Sequence, residues 1–188
     1  MHKALSLALG LVVATTALAA NSKPIEDVFQ RYWGAYSKKD FAKAATDVLP
    51  SDLDDAKKEL LPLFLQAQSH QDKEIQDMVA AFFGRTVGKA RETLSPVDVF
   101  AGLNRVVTMG NPQLFDVLKD ANLTIVFIRT PDADNAEIHY QIMLHGQSDM
   151  DMDALTHKNG RWWVRISEDP KEVAANFKAL LERKKAGK

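Results

Sequence analysis

Apolar residues recur at helical spacing in the first half of the chain. Between Ile25 and Tyr36 they fall at i, i+3, i+4, i+7, i+8 and i+11, which is one face of an amphipathic helix. A Lys-Lys-Asp sequence ends this pattern, and a second, short helix is predicted from Phe41 up to Pro50. This part of the chain therefore predicts a layer of packed helices.

The apolar spacing continues after Pro50. Ser51 is expected to cap a further helix, with Asp54 at the third position, where a carboxylate favours the positive helix end. From residue 63 to residue 83 the apolar positions follow one helical pattern until Gly84 ends it. A single helical stretch is therefore predicted over residues 63–83.

A clear helix start follows at residues 95–98. The sequence Ser-Pro-Val-Asp combines a capping serine, a proline at the first helical position and an acidic third residue. It predicts a helix that ends at Gly110. Asn111 and Pro112 then open a short helix that runs through Leu118.

The spacing of apolar residues changes after Asn122. Residues 123–129 are rich in β-branched and aromatic side chains, and residues 136–145 alternate between apolar and polar. Such alternation is typical of an antiparallel strand with one covered face. A third strand is predicted over about residues 150–158.

A hairpin and a last helix close the chain. Asn159-Gly160 is a strong hairpin signal because both residues tolerate positive φ, and it leads into a fourth strand over residues 161–167. Asp169-Pro170 then starts a final helix. The element order predicts an α+β fold, with N-terminal helices packed on a curved antiparallel sheet of about four strands and a closing C-terminal helix.

The first twenty residues have the layout of a secretory signal peptide. Lys3 precedes an apolar run from Ala4 to Ala14, and Ala17 and Ala19 place small residues at −3 and −1 of a cleavage point. The run is nearer fifteen residues than the ~20 that span a bilayer. We therefore expect residues 1–20 to be removed near Ala19, leaving residues 21–188 as one periplasmic or secreted domain.

Composition narrows the functional classes. The 188 residues hold 24 basic and 25 acidic side chains, a balance with no electrostatic footprint for nucleic acid or anionic lipid. Cysteine is absent, which excludes disulfides and thiol catalysis. Phosphate-loop and serine-nucleophile signatures are missing, so no cofactor is predicted. The sequence has no second long apolar segment, so no membrane span is predicted after cleavage.

Two segments resemble domains of the NTF2-like superfamily, the cystatin-like α+β cones. They are residues 25–50, with the second helix Lys-Lys-Asp-Phe-Ala-Lys-Ala-Ala, and residues 121–168, with the Asn-Gly hairpin, a tryptophan and a terminal isoleucine. Residues 51–120 form a longer helical insert. The resemblance implies a curved sheet wrapped around helices to form a cone with a pocket. It implies no reaction, because this fold hosts isomerases, dehydratases, carriers and adaptors.

Three aspartates alternate with methionines at 149, 151 and 153. A calcium loop would need glycine and glutamate where Ala154 and Gly160 stand, so that motif is excluded. One interpretation is an acidic, solvated strand start that discourages edge aggregation. The other interpretation singles out Asp153.

The hairpin register decides whether Asp153 faces a pocket. A two-residue turn pairs His157 with Trp162 and Asp153 with Ile166, on the same side as the apolar tryptophan face. A carboxylate at the mouth of an apolar pocket has a raised pKa and can act as a general base. The NTF2-like resemblance implies the same role, because related isomerases use a pocket aspartate in this way.

Aromatic residues suggest two surfaces. A ligand pocket is predicted from Tyr32, Tyr36, Phe100, Leu103 and Trp162. Trp163 must face the opposite side of the sheet from Trp162, and it alternates with two arginines. The outer patch of Arg161, Trp163 and Arg165 suits a dimer contact or a protein interface.

The histidines do not form a metal site. His139 and His145 share a strand face but lie roughly 20 Å apart at strand rise, too far to share one ion. His70 and His157 are expected to be solvated, in a helix and beside a turn. No metal ligand set is therefore predicted.

These observations favour an exported, non-catalytic module of the bacterial cell envelope that binds a ligand or another protein. Its protein partner would be a second copy of the chain or another envelope protein, bound through the sheet face. Two alternatives stay open. A small enzyme of isomerase or dehydratase type would use Asp153, inward and desolvated. A carrier of an apolar ligand such as phospholipid, which a looser similarity to periplasmic carriers of the same superfamily suggests, would need an unfilled cavity. That cavity would be lined by Phe64, Phe82, Phe83, Phe100, Leu103 and Phe115.

Overall fold

The computed structural model describes residues 8–144 and 147–186, with side chains described from Ser22 to Lys185 except at 114 and 144–147. Over these residues the architecture is α+β, as predicted. The helices are α1 (Ala8–Tyr36), α2 (Phe41–Ala45), α3 (Pro50–Ala67), α4 (Lys73–Phe83), α5 (Pro96–Gly110), α6 (Pro112–Leu118) and α7 (Pro170–Ala186), with a 3₁₀ turn at Gly88–Arg91. The strands are β1 (Asn122–Arg129), β2 (Asn135–Leu144), β3 (Gln147–Lys158) and β4 (Arg161–Val164).

The predicted signal peptide falls mostly outside this description. Residues 1–7 are not described, and side chains are described only from Ser22 onward. The leader and its cleavage near Ala19 therefore stay predictions. Within the described helices, none combines the length and the apolar character that crossing a bilayer requires.

Helix α5 starts as the sequence predicts. Ser95 accepts a hydrogen bond from the Asp98 backbone N–H at 3.1 Å, and the Asp98 carboxylate accepts one from the Ser95 N–H at 3.2 Å. Helix α3 starts differently, because Pro50 is its first residue and the preceding Leu49 makes no side-chain cap. The prediction that Ser51 caps this helix is wrong, since proline needs no partner for its nitrogen and already has a helical φ.

The predicted helical stretch over residues 63–83 is two helices. Helix α3 ends at Ala67, and Asp72 caps α4 by accepting from the N–H groups of Glu74 and Ile75 at 3.0 and 3.3 Å. The apolar pattern continues through the break because α3 and α4 pack against each other, with Phe64 and Phe82 stacked at 3.8 Å. Gly84, at φ 56°, ends α4 as predicted.

The four strands form one antiparallel sheet in the order β1-β2-β3-β4 within the described residues. The hairpin is confirmed, with φ of 56° at Asn159 and 74° at Gly160. Two predicted pairs, His157 with Trp162 and Leu155 with Val164, are also confirmed.

The predicted pairing of Asp153 with Ile166 is wrong, because β4 stops at Val164. The chain before α3 lies along the free edge of β4: Val164 donates to the Asp47 carbonyl and accepts from the Leu49 N–H, both at 2.9 Å. The Ile166 N–H then donates to the Asp52 carboxylate at 3.2 Å instead of continuing the ladder. The inner face of β3 beyond Leu155 is therefore left without a neighbouring β4 residue.

The core lies between the helices and one face of the sheet. Helix α1 buries Ile25 and Phe29 against Ile138, Tyr140 and Leu155. Helix α7 returns to the helical layer as predicted. Its side chains Val173, Phe177, Leu180 and Leu181 pack on the cluster formed by α3, α4 and α5.

Candidate functional site

The sheet register places the three aspartates of β3 on its inner face. Asp153 lies opposite Ile138 and Asp151 opposite Tyr140, and directly opposed residues share a face. Because Ile138 and Tyr140 are buried under α1, the alternating carboxylates point to the helix side. The intervening methionines, including Met150, point outward and are exposed.

Asp153 is the partly buried member of this row. The Tyr140 hydroxyl donates to its Oδ2 at 3.0 Å. Burial raises the pKa of Asp153 to about 6, with a further increase from the charge of Asp151, while the Tyr140 hydrogen bond acts in the opposite direction. No Lys, Arg or His among the described residues forms an ion pair with Asp153. The carboxyl group therefore titrates close to neutral pH.

The charge of Asp153 acts on two phenols of α1. Burial and the Asp153 charge raise the pKa of Tyr32 well above its usual value, and burial, Asp153 and Glu168 raise that of Tyr36 to about 12. Burial and the charges of Asp153 and Asp151 raise the pKa of Tyr140. All three phenols stay protonated at neutral pH, and each can donate one hydrogen bond.

A cavity of about 110 Å³ lies beside these groups. Helix α1 contributes Tyr32 and Tyr36, and α5 contributes Phe100 and Leu103, so four of the five predicted pocket residues come together. Asp153 is not among the residues that line the cavity, but its charge acts on both phenols. The cavity and the Asp153 carboxyl group are together called the inner chamber below. Sequence reasoning missed its other lining residues, of which the polar ones are Asn104, Ser167 and Glu168.

The fifth predicted pocket residue, Trp162, does not line the cavity. It lies on the inner face as the register requires, but close to the hairpin, where it packs on the α1–sheet cluster and on the His157 ring at 5.2 Å. Most residues missed by sequence reasoning lie on α5 or follow β4, and Ala56 comes from α3. No motif marks them, because only packing of α7 brings the loop at Glu168 over α5.

The cavity is small, and the phenylalanines that a lipid carrier would need do not line it. Its volume corresponds to about four water molecules at ~30 Å³ each, whereas sites for drug-sized ligands have roughly 300–1,000 Å³. Of the residues named for the carrier, Phe100 and Leu103 line it. The other four are packed into the core at 2% exposure or less: Phe64, Phe82, Phe83 and Phe115.

A larger groove of about 750 Å³ runs between α1 and the edge strand β1. Its sides are formed by Glu26, Gln30 and Trp33 of α1 and by residues 123–128 of β1. It is open along the strand, and Glu26 is the acidic side chain among its lining residues.

The predicted outer patch makes contacts within its own chain. Arg161 lies over the Trp163 ring at 4.1 Å and donates to the Asp47 carboxylate at 2.5 Å. Arg165 donates to Asp52 at 2.7 Å. These arginines attach β4 to the segment around α2 and α3. The exposed apolar residues of the sheet lie further out on β1, β2 and β3, at Val126, Phe127, Met143, Met150 and Met152.

The histidines occupy separate places. His70 lies in the turn between α3 and α4, not in a helix, and its Nε2 is buried without a hydrogen-bond partner among the described residues, so the prediction that it is solvated is wrong. His139 stacks on Phe127 at 4.1 Å on the outer face, His157 is partly exposed beside the hairpin turn, and His145 lies outside the described residues. Across the residues that are described, no three His, Asp or Glu side chains converge as a metal site.

Comparisons with protein-family models, curated proteins and solved structures gave no match. The chemistry of the inner chamber rests on its own residues. Asp153 can accept a hydrogen bond or a proton near neutral pH, and the neighbouring phenols of Tyr32 and Tyr36 can donate hydrogen bonds. These groups supply hydrogen-bond donors and an acceptor on the helix side of the sheet.

Proposed function

We propose that this chain is an exported, NTF2-like domain that binds a small ligand in the inner chamber, with Asp153 as the group that anchors it. The leader pattern supports export, and the order of helices, antiparallel sheet and closing helix supports the NTF2-like architecture. The observation that carries the proposal is the Asp153 carboxyl, which faces the helices, accepts a hydrogen bond from Tyr140 and has no cationic partner among the described residues.

The energetics of burial support a ligand role for this carboxyl. Removing a carboxylate from water is costly unless a cation or several donors compensate, and here the Tyr140 hydroxyl is the donor. A fold that keeps such a group in place gives up stability, and strongly shifted pKa values cluster at functional sites. A ligand that donates to Asp153 would recover that free energy on binding.

Native mass spectrometry tests the binding proposal. We expect mature protein purified under gentle conditions to show a non-covalent adduct that disappears on denaturation. Asp153→Asn should lose the adduct, while Asp55→Asn, which removes an exposed carboxylate of α3, should retain it. A wild-type spectrum without adduct, or the same adduct on Asp153→Asn, would contradict the proposal.

The raised pKa of Asp153 also favours a second candidate, general acid–base catalysis of an isomerase or dehydratase type. Acetone is a suitable probe, since its four heavy atoms match the cavity and its carbonyl can accept from a phenol. We expect wild-type protein to accelerate exchange of the acetone methyl protons in D₂O, measured by NMR, relative to Asp153→Asn. Equal rates for the two proteins would remove this candidate.

The exposed apolar residues on the outer face of the sheet support a further role in protein interaction. Phe127, Met150 and Met152 are 50%, 52% and 44% exposed. Phe127 on β1 and Met152 on β3 both pair with His139 of the intervening β2, and exposed apolar patches mark interaction sites. The role proposed is self-association through this face. Light scattering should show that the wild type is a dimer and that Met150→Lys is a monomer. A monomeric wild type would rule out self-association through this face.

A further inference from the structure

The outer face of the sheet carries thioether side chains beside a histidine. Three of the six methionines of the chain, Met143, Met150 and Met152, lie on this face and are exposed. Core packing does not explain their positions, because each is open to solvent. The sequence has no cysteine, so methionine sulfur is its soft metal ligand.

The register of β2 and β3 brings His139 and two of these methionines together. His139 pairs directly with Met152, and directly opposed side chains on one face have Cβ atoms about 4.5–5.5 Å apart. Met150 is the next residue of β3 on this face and is diagonal to His139, about 7–8 Å away. Methionine side chains are long and flexible, so both sulfur atoms can reach an ion at the imidazole.

The imidazole ring of His139 is held in place with its nitrogen atoms available. The ring stacks on Phe127, with 4.1 Å between the centroids. Its Nε2 lies 3.6 Å from Oε2 of Glu137, and neither ring nitrogen makes a hydrogen bond within the described residues. A carboxylate beside a metal-binding imidazole orients the ring and accepts its second N–H. Glu137 is placed for that role, and its pairing with Arg129 at 3.4 Å fixes the carboxylate.

The donor set and the local charge select a soft cation. Residues 149–153 carry three carboxylates and no basic side chain, so their field attracts cations. These carboxylates alternate with the methionines and point to the other face, which leaves two thioethers and one imidazole as the ligands. Thioether sulfur suits Cu(I), whereas Zn²⁺ takes thiolate, imidazole and carboxylate ligands, of which this group offers a single imidazole.

We infer that His139, Met150 and Met152 form a binding site for Cu(I) on the outer face of the sheet. The site lies on the opposite side of the sheet from Asp153, so it does not depend on ligand binding in the inner chamber. Met143 stands outside it, because four positions along β2 separate Met143 from His139 by about 13 Å.

Silver tests the inference, because Ag(I) shares the charge and softness of Cu(I) and needs no reducing agent. With silver nitrate in chloride-free buffer, native mass spectrometry should show one Ag(I) per wild-type chain. NMR should show shifted ε-methyl signals for Met150 and Met152. The double variant Met150→Leu/Met152→Leu and the single variant His139→Gln should each bind Ag(I) more than about tenfold more weakly, since changes outside the ligand shell already cost 10–100-fold. Met143→Leu is the matched control and should bind like the wild type.

The leucine variants separate metal binding from self-association through the same face. Leucine keeps the apolar surface and removes the sulfur, so light scattering should give the same oligomeric state for wild type and double variant. Unchanged Ag(I) affinity in the double variant or in His139→Gln would overturn the inference. Equal loss of affinity in Met143→Leu, displacement of Ag(I) by equimolar Zn²⁺, or a wild type without bound Ag(I) would overturn it as well.

Discussion

The segment around α2 and α3 and the inner chamber both bury carboxylates, but they compensate them differently. Asp47 is 4% exposed and accepts from Arg31 at 2.9 Å and from Arg161 at 2.5 Å. Asp52, 8% exposed, accepts from Arg165 at 2.7 Å. Each of these carboxylates is matched by an arginine, and the pairs hold α1 and β4 to the chain between them.

The chamber carboxylate lacks such a partner. Asp153 accepts from the neutral Tyr140 hydroxyl, and its pKa is raised to about 6. The difference shows two uses of a buried charge in one small domain. A paired carboxylate fixes the position of a strand, whereas an unpaired one costs stability.

The largest effect is expected from removing a partner of a paired carboxylate. Arg165→Met leaves Asp52 buried without its cation and should lower the free energy of unfolding by about 3 kcal/mol, measured by urea unfolding. Arg183→Met is the matched control, because Arg183 is exposed in α7 and has no ion pair within the described residues. Equal losses for both variants would mean that the Asp52 pair does not hold β4.

A gain in stability, the opposite effect, is expected from replacing the unpaired carboxylate. Asp153→Asn should raise the free energy of unfolding at neutral pH by about 2 kcal/mol, since a shift of roughly two pKa units sets an upper limit near 3 kcal/mol and partial exposure reduces it. The asparagine can still accept from Tyr140. A destabilised variant at pH 7 would show that the charge contributes to the fold.

The pH dependence of this difference follows from the direction of the pKa shift. The folded-state pKa of Asp153, about 6, lies above the ordinary value of 3.8, so the folded chain binds the proton more tightly. The stability that this proton provides is complete below about pH 4 and is lost as the pH rises through 6. The wild type should therefore match Asp153→Asn near pH 4 and fall below it at pH 7.

A smaller change should sharpen the description of Asp153. Tyr140→Phe removes the hydroxyl that donates to the carboxylate, so the pKa of Asp153 should rise further and the free energy of unfolding should fall by about 1 kcal/mol. A carbon-detected NMR titration of the Asp153 carboxyl group measures the first effect. An unchanged pKa would mean that the bond does not persist in solution.

The smallest effect is expected at the end of the acidic row. Asp149 is exposed, and its Oδ1 accepts the N–H of the next residue, Met150. Asp149→Asn should change the free energy of unfolding by less than about 0.5 kcal/mol, by the same urea measurement. A change as large as that of Asp153→Asn would show that the row titrates as one unit and that burial of a single member is not the cause.

Local chemistry made several elements predictable from the sequence. The capping box at Ser95, the Asn159-Gly160 hairpin with its register and the alternation in β2 all depend on residues close in the chain. The aromatic face of α1 and the apolar face of α5 were predicted for the same reason, and they bring Tyr32, Tyr36, Phe100 and Leu103 to one cavity.

What the sequence determined by itself is most of the helices and strands and the face that their side chains occupy, because backbone propensity and hydrogen bonds between near neighbours decide them. Only the tertiary structure decided that α3 and α4 are separate, that β4 stops at Val164, and that Arg161 and Arg165 bind Asp47 and Asp52. It also decided which carboxylate stays unpaired. Charge pairing and burial depend on residues more than a hundred positions apart, and only packing brings them together.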